Sequence, residues 1–428
     1  MKKGLKCMLS DLVQNTDLFS FLSQPEYLRD PYSVYRYLRE NHNVFVSSMP
    51  PNYLWRKMYI LSRHSDIVNV IKDRNVGKKP PKSSSDTSEE YSERLNKSIT
   101  SKLKDNVVVF MDPPRHTKVK AILGKAFSPK IIQDLQPHIE EIAFDLLEQL
   151  KGKEKFNLKE DFARPLPVMV IAELLGVPRK HSDKIRVWAQ SLVKSVDAVP
   201  MSKEEYQAMT RYGMEAAGYF QQLLMERKNN PGDDLISQLM LAKEGDERLT
   251  VDELVANCLF LLIAGHETSL NMISNGTLAF LKNPKQLENL KGDYGLIKNA
   301  VDEVLRYDSP VQLLSRIAQT NFTVNDVEIP AGEQVGMFIG SANRDPEAFE
   351  NPDNFDITRT DLAHGSAHMA FGQGIHYCTG ASLGRLEGEV AFKAIFETFP
   401  NLHLENDKVF DYRPSFSMRE LVSLELSS

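Results

Sequence analysis

Hydrophobic and polar residues follow a helical period through the middle of the chain. Between residues 129 and 280, apolar residues recur at spacings of three and four, which is typical of amphipathic helices. The longest such stretch runs from Leu249 to Asn283. Its middle is apolar on nearly every side, so we expect it to cross the core. Thr250 stands where an N-cap residue would begin this helix.

Two shorter regions have the pattern of strands. Residues 54–73 predict short strands followed by a helix, and residues 321–338 predict strands joined by Asn-Asp and Pro-Ala-Gly turns. A polar segment at 76–105 predicts a long loop, either a solvated linker or a functional lid. No repeat or clear linker interrupts the pattern. We therefore predict one domain over residues 1–428, mainly α with a small β part (α+β), with its helix-rich core at about 108–320.

Composition narrows the class of protein. The chain has 428 residues, of which 42% are hydrophobic and 26% charged, as in soluble globular proteins. Its net charge of −6 argues against binding to nucleic acid. No secretory signal is evident, and no apolar run approaches the roughly 20 residues of a membrane span. We expect a cytoplasmic monomer that does not enter membranes.

The three cysteines, Cys7, Cys258 and Cys378, are too few and too scattered for a disulfide framework. Cys258 lies in the apolar helix and has the setting of a buried hydrophobe. Cys378 differs, because glycines precede and follow it and a helical pattern begins at Ala381. A thiolate at a helix amino terminus is stabilised by the dipole and free N–H groups. Such a group is either a nucleophile or a metal ligand.

The segment from Phe371 to Gly380 reads FGQGIHYCTG. It resembles FGxGxHxCxG, the haem-ligand signature of the cytochromes P-450. Five further segments are similar to that family: FMDPPRHTKVK at 110–120, PLPVMVIAELLGVP at 165–178, AGHET at 264–268, DEVLRY at 302–307 and ANRDPEAFENPDNFDITR at 342–359. The resemblance covers nearly the whole chain. It implies the P-450 fold, a triangular helical prism around haem b.

The resemblance also assigns roles. It implies Cys378 as the axial thiolate ligand of the iron, in a cysteine loop at 370–380. The cofactor-binding positions that it implies are His116, Lys120, Ala264, Gly265, Arg316, Phe371, Gly372, Gly374, His376, Cys378 and Gly380. His116, Lys120, Arg316 and His376 would face the haem propionates. Many relatives have arginine where Lys120 stands, and lysine lacks the bidentate fork.

Two further groups of residues follow from the resemblance. Glu303 and Arg306, which share a helix face, would join Arg359 and hold the cysteine loop. Gly265 would leave room for O2. Thr268, with Glu267 beside it, would deliver protons to the reduced oxygen.

The implied activity is hydroxylation or epoxidation of a hydrophobic substrate, with one atom of O2 leaving as water. We expect a polyketide- or macrolide-type metabolite, free or tethered to a carrier protein. A ferredoxin-type donor with its reductase would supply electrons at a face around the cysteine, where Arg115, Lys118 and Lys125 suit an acidic partner. The expected pocket residues are Ile263, Val311, Leu313, Leu314, Phe416 and Met418, with parts of the 77–107 loop and of residues 191–201.

Four alternatives remain at this stage. The nearest are a fatty-acyl or terpenoid hydroxylase and a peroxide-using haem-thiolate enzyme. A peroxide-using enzyme would usually lack the acid–alcohol pair of Glu267 and Thr268. A haem-binding sensor is a non-enzymatic alternative, and a hydrolase using Cys378 with His376 as base is the fourth.

Overall fold

The computed structural model describes residues 17–49, 56–81, 105–193, 202–362, 368–405 and 409–428. Most of the predicted long loop and residues 194–201 of the expected pocket region lie outside these ranges. Cys7 and His364 also lie outside them.

The described residues are mainly helical. The helices in chain order are α1 (Leu18–Leu22), α2 (Pro25–Arg29), α3 (Tyr32–Asn41), α4 (His64–Lys72), α5 (Arg115–Ala126), α6 (Pro129–Asp134), α7 (Gln136–Glu148), α8 (Pro165–Leu174), α9 (Ser182–Leu192), α10 (Lys203–Asn229), α11 (Leu235–Leu241), α12 (Val251–Lys282), α13 (Pro284–Gly292), α14 (Ile297–Tyr307), α15 (Ile339–Ala342) and α16 (Ala381–Thr398). A π-helical turn, Lys159–Ala163, precedes α8, and short 3-10 turns include Val108–Phe110 and Gly374–His376.

The strands form three small sheets. They are β1 (Phe45–Ser48), β2 (Lys57–Leu61), β3 (Val76–Gly77), β4 (Lys155–Asn157), β5 (Leu313–Ala318), β6 (Phe322–Val324), β7 (Val327–Ile329), β8 (Gln334–Phe338), β9 (His403–Leu404) and β10 (Glu425–Ser427). The largest sheet has the order β1-β2-β8-β5-β3, the second has β4-β10-β9, and β6 and β7 form a hairpin. The sheets are minor beside the helices, and the prediction of a mainly α fold with a small β part is confirmed.

Helix α12 runs through the largest core cluster and packs against α8, α10, α14 and α16. Thr250 caps it as predicted: its side chain accepts a hydrogen bond from the Glu253 backbone, and the Glu253 side chain accepts one from the Thr250 backbone. The other end of α12 is tightly packed. A methyl group placed on Gly276 would meet the Phe392 ring of α16 at 2.4 Å, so only glycine lets these helices approach so closely.

Other sequence predictions differ in detail. The helical stretch that starts at Pro129 divides into α6 and α7 at Leu135. The Asn-Asp turn is present between β6 and β7, where Asn325 and Asp326 both have positive φ, as a two-residue hairpin turn requires. Cys258 is completely buried, and burial raises the pKa of its thiol to about 12. No helix in the described parts of the chain has the length and hydropathy needed to span a membrane.

Candidate functional site

A cavity of about 270 Å³ lies between α12 and the loop that carries Cys378. Its walls are largely apolar and come from the Val108–Phe110 turn, α5, α8, α12, β5 and α16. Val108, Phe127, Ile171, Phe260 and Leu261 are among the lining side chains. Polar groups are concentrated at one end of the cavity and beside Thr268, so the site suits a large flat apolar group with an anionic edge.

Cys378 opens onto this cavity while its thiol is otherwise enclosed by protein. Its backbone N–H donates to the Phe371 carbonyl over 2.9 Å, which closes the loop. Gly372 and Gly374 have φ of 67° and 70°, a conformation that side chains rarely adopt. Burial raises the pKa of the Cys378 thiol, and the Gly380 N–H and the charges of Lys120 and Arg385 oppose that rise. A bound cation would deprotonate such a thiol outright.

Basic side chains meet at one end of the cavity. The five that line it are the cations Lys78, Lys120 and Arg316 and the imidazoles His116 and His376. Burial lowers the pKa of Arg316 to about 10, although Asp112 opposes the shift. Burial and the charge of Arg316 hold the pKa of Lys78 well below its usual range. Positive groups that repel one another in a buried place indicate a site for an anionic partner.

His116 gives the most direct sign of that partner. Its side chain is 1% exposed, yet neither ring nitrogen has a hydrogen-bond partner within the described residues. Its ring lies 4.1 Å from that of His376. Burial lowers the pKa of His116 to about 4 and that of His376 to about 2. Buried polar atoms are normally paired, and two haem propionates at this end would pair them.

Lys120 and Lys78 extend the cationic end in different ways. Lys120 lines the cavity and also donates a hydrogen bond to the Tyr377 carbonyl, next to the cysteine. Lys78, whose Nζ donates to the Ser315 carbonyl over 3.2 Å, was not among the residues expected from the sequence. It precedes Lys79, whose Nζ pairs with exposed Asp105. The sequence offered no signal to choose between two adjacent lysines.

Glu303 and Arg306 form a fully buried bidentate pair on α14, with N–O distances of 2.7 and 2.9 Å. Arg359 Nε lies 3.2 Å from Glu303 Oε1, so the expected triad is assembled. Arg306 also donates to the Asn343, Pro352 and Asn354 carbonyls.

Asn343 connects this triad to the cysteine loop. Its Oδ1 accepts from the Met369 backbone over 2.6 Å, and the Met369 carbonyl accepts from Gly372 over 2.8 Å. The triad is therefore linked to the cysteine loop through hydrogen bonds.

Thr268 and Gly265 face the cavity from α12, with Ala264 beside them. The Thr268 hydroxyl donates to the Ala264 carbonyl over 2.9 Å, which is the backward hydrogen bond that a helical threonine makes. A methyl group at Gly265 would touch Ile171 of α8 at 3.4 Å. That distance is ordinary van der Waals contact, so packing against α8 would tolerate alanine, and the expected reason for glycine remains room in the cavity.

Glu267 does not line the cavity. Its Oε2 lies 3.0 Å from His266 Nε2, and both side chains are almost completely buried. Burial pushes the pKa of the Glu267 carboxyl upward, but His266 and the charge of Arg164 outweigh it, and the pKa falls to about 2. The acid next to Thr268 is thus ionised and held in an ionic cluster behind the helix.

A second acid, Glu387 on α16, does line the cavity. The Ser269 hydroxyl donates to it, and burial raises its pKa to about 8. Sequence reasoning missed Glu387, because nothing in its spacing separates it from Glu389, two positions along the same helix.

The expected substrate residues divide into two groups. Val311 and Leu314 line the cavity. Ile263 packs in the main core cluster, and Leu313 packs against the cluster formed by the amino-terminal helices. Phe416 and Met418 line a separate small cavity near Tyr35 and Arg419. The last four residues are therefore outside the main cavity wall.

The expected basic docking residues are already paired. Arg115 lies 2.7 Å from Glu247 and also pairs with Glu253, Lys118 pairs with Glu247, and Lys125 lies 2.8 Å from Glu244. Their charge is compensated within the chain, which leaves little for an acidic partner.

Comparison with known proteins agrees with this site. The sequence profile described as Cytochrome P450 matches residues 21–421. The biotin biosynthesis cytochrome P450 of Bacillus subtilis (strain 168) is 36% identical over 411 residues, covering 95% of this chain and 98% of that protein. The polyketide biosynthesis cytochrome P450 PksS of the same strain is 33% identical, covering 94% of this chain and 96% of that protein.

The fold has a close solved counterpart. The crystal structure of P450BioI in complex with hexadec-9Z-enoic acid ligated acyl carrier protein superposes with a TM-score of 0.83. The two sequences are 34% identical, and the match covers 94% of this chain and 99% of that one.

A cysteine loop tied to a buried Glu–Arg pair, facing an apolar cavity with basic side chains at one end, fits the haem-thiolate site that membership of the cytochrome P450 family implies. With the match over residues 21–421, the chain belongs to the cytochrome P450 family and has the P450 fold. It is a cytochrome P450 monooxygenase.

Proposed function

We propose that Cys378 holds haem b and that the enzyme inserts one oxygen atom into a hydrophobic, acyl-derived substrate of the polyketide type. The observation that carries this proposal is the apolar cavity, which is lined by Cys378, by Thr268 and by the cations Lys78, Lys120 and Arg316. The donor set fits the cofactor: one sulfur for the iron, with buried His116 and Arg316 for the propionates. When bound, the haem supplies the activation of O2 and the oxygen transfer.

The residues of this chain fix the cysteine loop, exclude water from the cavity and pass protons into it. The Glu303–Arg306 pair and Asn343 fix the cysteine loop. Phe260 and Leu261 on α12 keep the distal side of the cavity apolar and exclude water. The Thr268 hydroxyl is on a residue of α12 that lines the cavity, and it would pass protons into the cavity. This supports the O2-using enzyme over a peroxide-using one.

Replacing Cys378 with alanine tests the ligand. We expect Cys378→Ala to lose the red-shifted, thiolate-type Soret band of the ferrous–CO form. Cys258→Ala is the matched control, because that thiol is buried in α12 away from the cavity lining. A Cys378→Ala protein that keeps the band, or a Cys258→Ala protein that loses it, contradicts the assignment.

The class of substrate is proposed from the cavity together with the relatives. Val108, Val311, Leu314, Phe260 and Leu261 offer contact to an extended apolar chain and few hydrogen bonds to a polar one. One relative is named for polyketide biosynthesis, and a solved neighbour carries a fatty acid on an acyl carrier protein. A fatty-acyl chain tethered to a carrier protein is therefore the second candidate substrate.

Difference spectroscopy of the ferric enzyme separates these candidates. Polyketide-type lactones, free fatty acids and the same acyl chains on carrier protein are titrated, and the low-to-high-spin shift is recorded. Tight binding of lactones supports the first candidate, and binding of acyl chains only when they are tethered supports the second. A spin shift with polar compounds alone would contradict both.

The electron donor is proposed to be a ferredoxin-type protein that docks around the cysteine loop. Ile375 and Tyr377 are exposed beside Cys378. These residues offer an apolar centre of the kind that protein interfaces use.

A further inference from the structure

Asn257 is a completely buried amide on α12 that lines the cavity, and the mechanism above gives it no role. Its Oδ1 accepts a hydrogen bond from the Val108 backbone N–H over 3.1 Å. Its Nδ2 donates to the Asn106 carbonyl over 2.9 Å and to the Glu253 carbonyl, one turn earlier on α12, over 2.7 Å. The side chain therefore joins α12 to a segment that is distant in sequence.

The segment that Asn257 holds is the 3-10 turn Val108–Phe110. Within it, the Phe110 N–H donates to the Val107 carbonyl over 3.0 Å, and the Met111 N–H donates to the Val108 carbonyl over 3.2 Å. The first N–H of a helical turn has no partner inside that turn, and Val107 at the N-cap position makes no side-chain cap. Asn257 therefore caps this turn from another helix.

The same turn forms part of the cavity wall. Val108 and Val109 line the cavity, and so do Phe260 and Leu261 of α12. Phe260 and Leu261 lie three and four positions after Asn257, and residues at these spacings share one helix face. The hydrogen bonds of Asn257 therefore hold the valine side of the wall against the α12 side.

The Asn257 amide has no donor left for a bound molecule. A side-chain NH2 group has two donors, and the Asn106 and Glu253 carbonyls use both. Its oxygen is engaged by the Val108 N–H. Although Asn257 is polar and lines the cavity, its chemistry is directed at the protein. Its role is therefore to position the wall.

A second contact fastens the chain that follows the turn. Arg115, the first residue of α5, donates from Nε to Glu253 Oε1 over 2.7 Å. Glu253 also accepts at Oε2 from the Thr250 N–H over 2.8 Å. The first turns of α12 thus hold residues 106–115 at two points. A substitution at Asn257 releases the turn and leaves the α5 contact in place.

We propose that Asn257 is a positioning residue for substrate selectivity, which holds the Val108–Phe110 turn against α12 and so fixes the width of the apolar cavity. The inference rests on the proposed function, because the cavity is the proposed substrate site. Discrimination by size needs a wall that is held in place by its supporting contacts, since a wall that yields also admits larger molecules.

Hydrogen exchange of the holoenzyme, measured by mass spectrometry, tests the anchor directly. The probe is the Val108 amide in peptides that cover residues 106–111. In Asn257→Leu we expect this amide to exchange roughly tenfold faster, because its acceptor is gone. Exchange at the wild-type rate in Asn257→Leu would overturn the proposal.

Asn275→Leu is the matched control for both tests. Asn275 is a buried amide on the same helix, and its Nδ2 donates to the Arg419 carbonyl over 2.9 Å. It does not line the cavity. Both variants lose a buried hydrogen bond to a distant segment, so a general loss of stability would affect both of them. Faster exchange at Val108 in Asn275→Leu as well would contradict a specific role of Asn257.

The second test measures selectivity with two probes of different size. Phenylimidazole and biphenylimidazole bind ferric haem through a ring nitrogen, and the Soret shift gives a Kd for each. We expect the ratio of the biphenylimidazole Kd to the phenylimidazole Kd to fall roughly tenfold in Asn257→Leu. This is the low end of what one methylene group contributes in a tight apolar pocket. Asn275→Leu should keep the wild-type ratio.

Asn257→Asp separates the hydrogen bonds from other effects of substitution. Burial favours the protonated acid, which accepts from the Val108 N–H and donates to one of the two carbonyls. We therefore expect both the exchange rate and the Kd ratio of Asn257→Asp to stay near those of the wild type. Equal changes in Asn257→Asp and Asn257→Leu would overturn the proposal.

These outcomes are distinct from those that test the proposed function. A wild type in which neither imidazole shifts the Soret band would contradict the haem assignment, whereas hydrogen exchange would still decide whether Asn257 holds the turn. Normal Soret shifts with a wild-type Kd ratio in Asn257→Leu would overturn the role of Asn257 alone.

Discussion

Thr268 and Ser269 are neighbours on α12 with different partners. Thr268 lines the cavity and donates to the Ala264 carbonyl over 2.9 Å, and its hydroxyl oxygen can still accept hydrogen bonds. Ser269 donates to Glu387, an acid that burial keeps neutral near pH 7. One hydroxyl is therefore available to accept and pass on a proton, whereas the other is committed to a buried acid.

Replacing Thr268 with alanine should separate oxygen use from product formation. Thr268→Ala should still bind haem and substrate, because neither needs the hydroxyl. Product per reducing equivalent should fall roughly 10²-fold or more, as for loss of a positioned proton donor, unless water replaces the hydroxyl. Peroxide released should rise in proportion.

The measurement is product, peroxide and reducing equivalent consumed in the same reaction. Thr277→Ala is the control, because Thr277 is a buried threonine further along α12 that does not line the cavity. Wild-type coupling in Thr268→Ala would mean that the hydroxyl is structural here.

Glu387 should make folding stability depend on pH. Its pKa rises from 4.5 to about 8 in the folded protein, so the folded state holds a proton that the unfolded state has lost. The stabilisation is complete below about pH 4.5 and is lost as pH rises through about 8. At 1.36 kcal/mol per unit, the difference of about 3.5 units sets an upper bound of roughly 5 kcal/mol.

Urea unfolding of wild type and Glu387→Gln at several pH values between about 5 and about 8 tests this. Glu387→Gln should lose less stability than the wild type as pH rises. Glu397→Gln on the same helix is the control, since Glu397 pairs with Lys393 at the surface. Parallel pH profiles for the wild type and Glu387→Gln would show that Glu387 is ionised in the folded protein.

Helix α14 contributes Leu305 to the cavity wall, but its main link to the cysteine loop passes through the chain that follows α15. Arg306 donates to three carbonyls in the irregular region that follows α15, and Asn343 carries the connection to Met369. The buried Glu303–Arg306 pair therefore stabilises a segment after α15 that has no regular secondary structure. Removing one partner leaves the other charge buried and unpaired.

We expect Glu303→Ala or Arg306→Ala to give mostly apo or unfolded protein. Breaking a buried pair by removing one member costs about 3–5 kcal/mol, a large part of the stability of a domain. Haem content per folded protein and the urea midpoint report the loss. Arg211→Ala is the control, because the Arg211–Glu215 pair on α10 is exposed. A soluble Glu303→Ala protein with full haem content would contradict this account.

The helices and strands show which parts of the fold can be predicted from the sequence. The start of α12 follows from its Thr250 N-cap and its course from the helical periodicity, and the hairpin of β6 and β7 follows from its Asn-Asp turn, because these signals are local. Cavity-facing residues are harder to predict. Leu313 and Leu314 differ only in which face of β5 they occupy, and that is set by pairing with β8.

The ion-pair partners of charged residues are harder still to predict from the sequence. Arg115, Lys118 and Lys125 look like a free basic face in the sequence. Their partners Glu244, Glu247 and Glu253 lie about 120 to 140 residues away, and only the fold brings them together. Lys78 and Glu387 were missed for the same reason, since burial and long-range neighbours give them their chemistry.

The surface around the cysteine loop combines exposed apolar groups with nearby cations. Ile375 is 55% exposed and Tyr377 37% exposed, within three residues of Cys378. Single exposed apolar residues are common on proteins, but here they lie directly beside the proposed point of electron entry.

We expect Ile375→Asp to raise the KM for a ferredoxin-type donor several-fold by placing a buried charge in the interface, with little change in substrate binding. Steady-state reduction at varied donor concentration measures this. Met225→Asp on α10 is the control, because Met225 is equally apolar and 69% exposed. Equal KM values for Ile375→Asp and Met225→Asp would mean that the donor docks at a different surface.

The close approach of α12 and α16 at Gly276 also bears on how this enzyme could be redesigned. A methyl group at Gly276 has no space, whereas Phe260 and Leu261, about four turns earlier on the same helix, face the cavity. Libraries that diversify Phe260, Leu261 and Val311 should therefore yield folded enzymes with altered substrate range. Libraries that extend to the carboxyl-terminal turns of the helix should yield mostly misfolded chains. The same helix therefore has cavity-facing positions that tolerate substitution and a packed contact at Gly276 that does not.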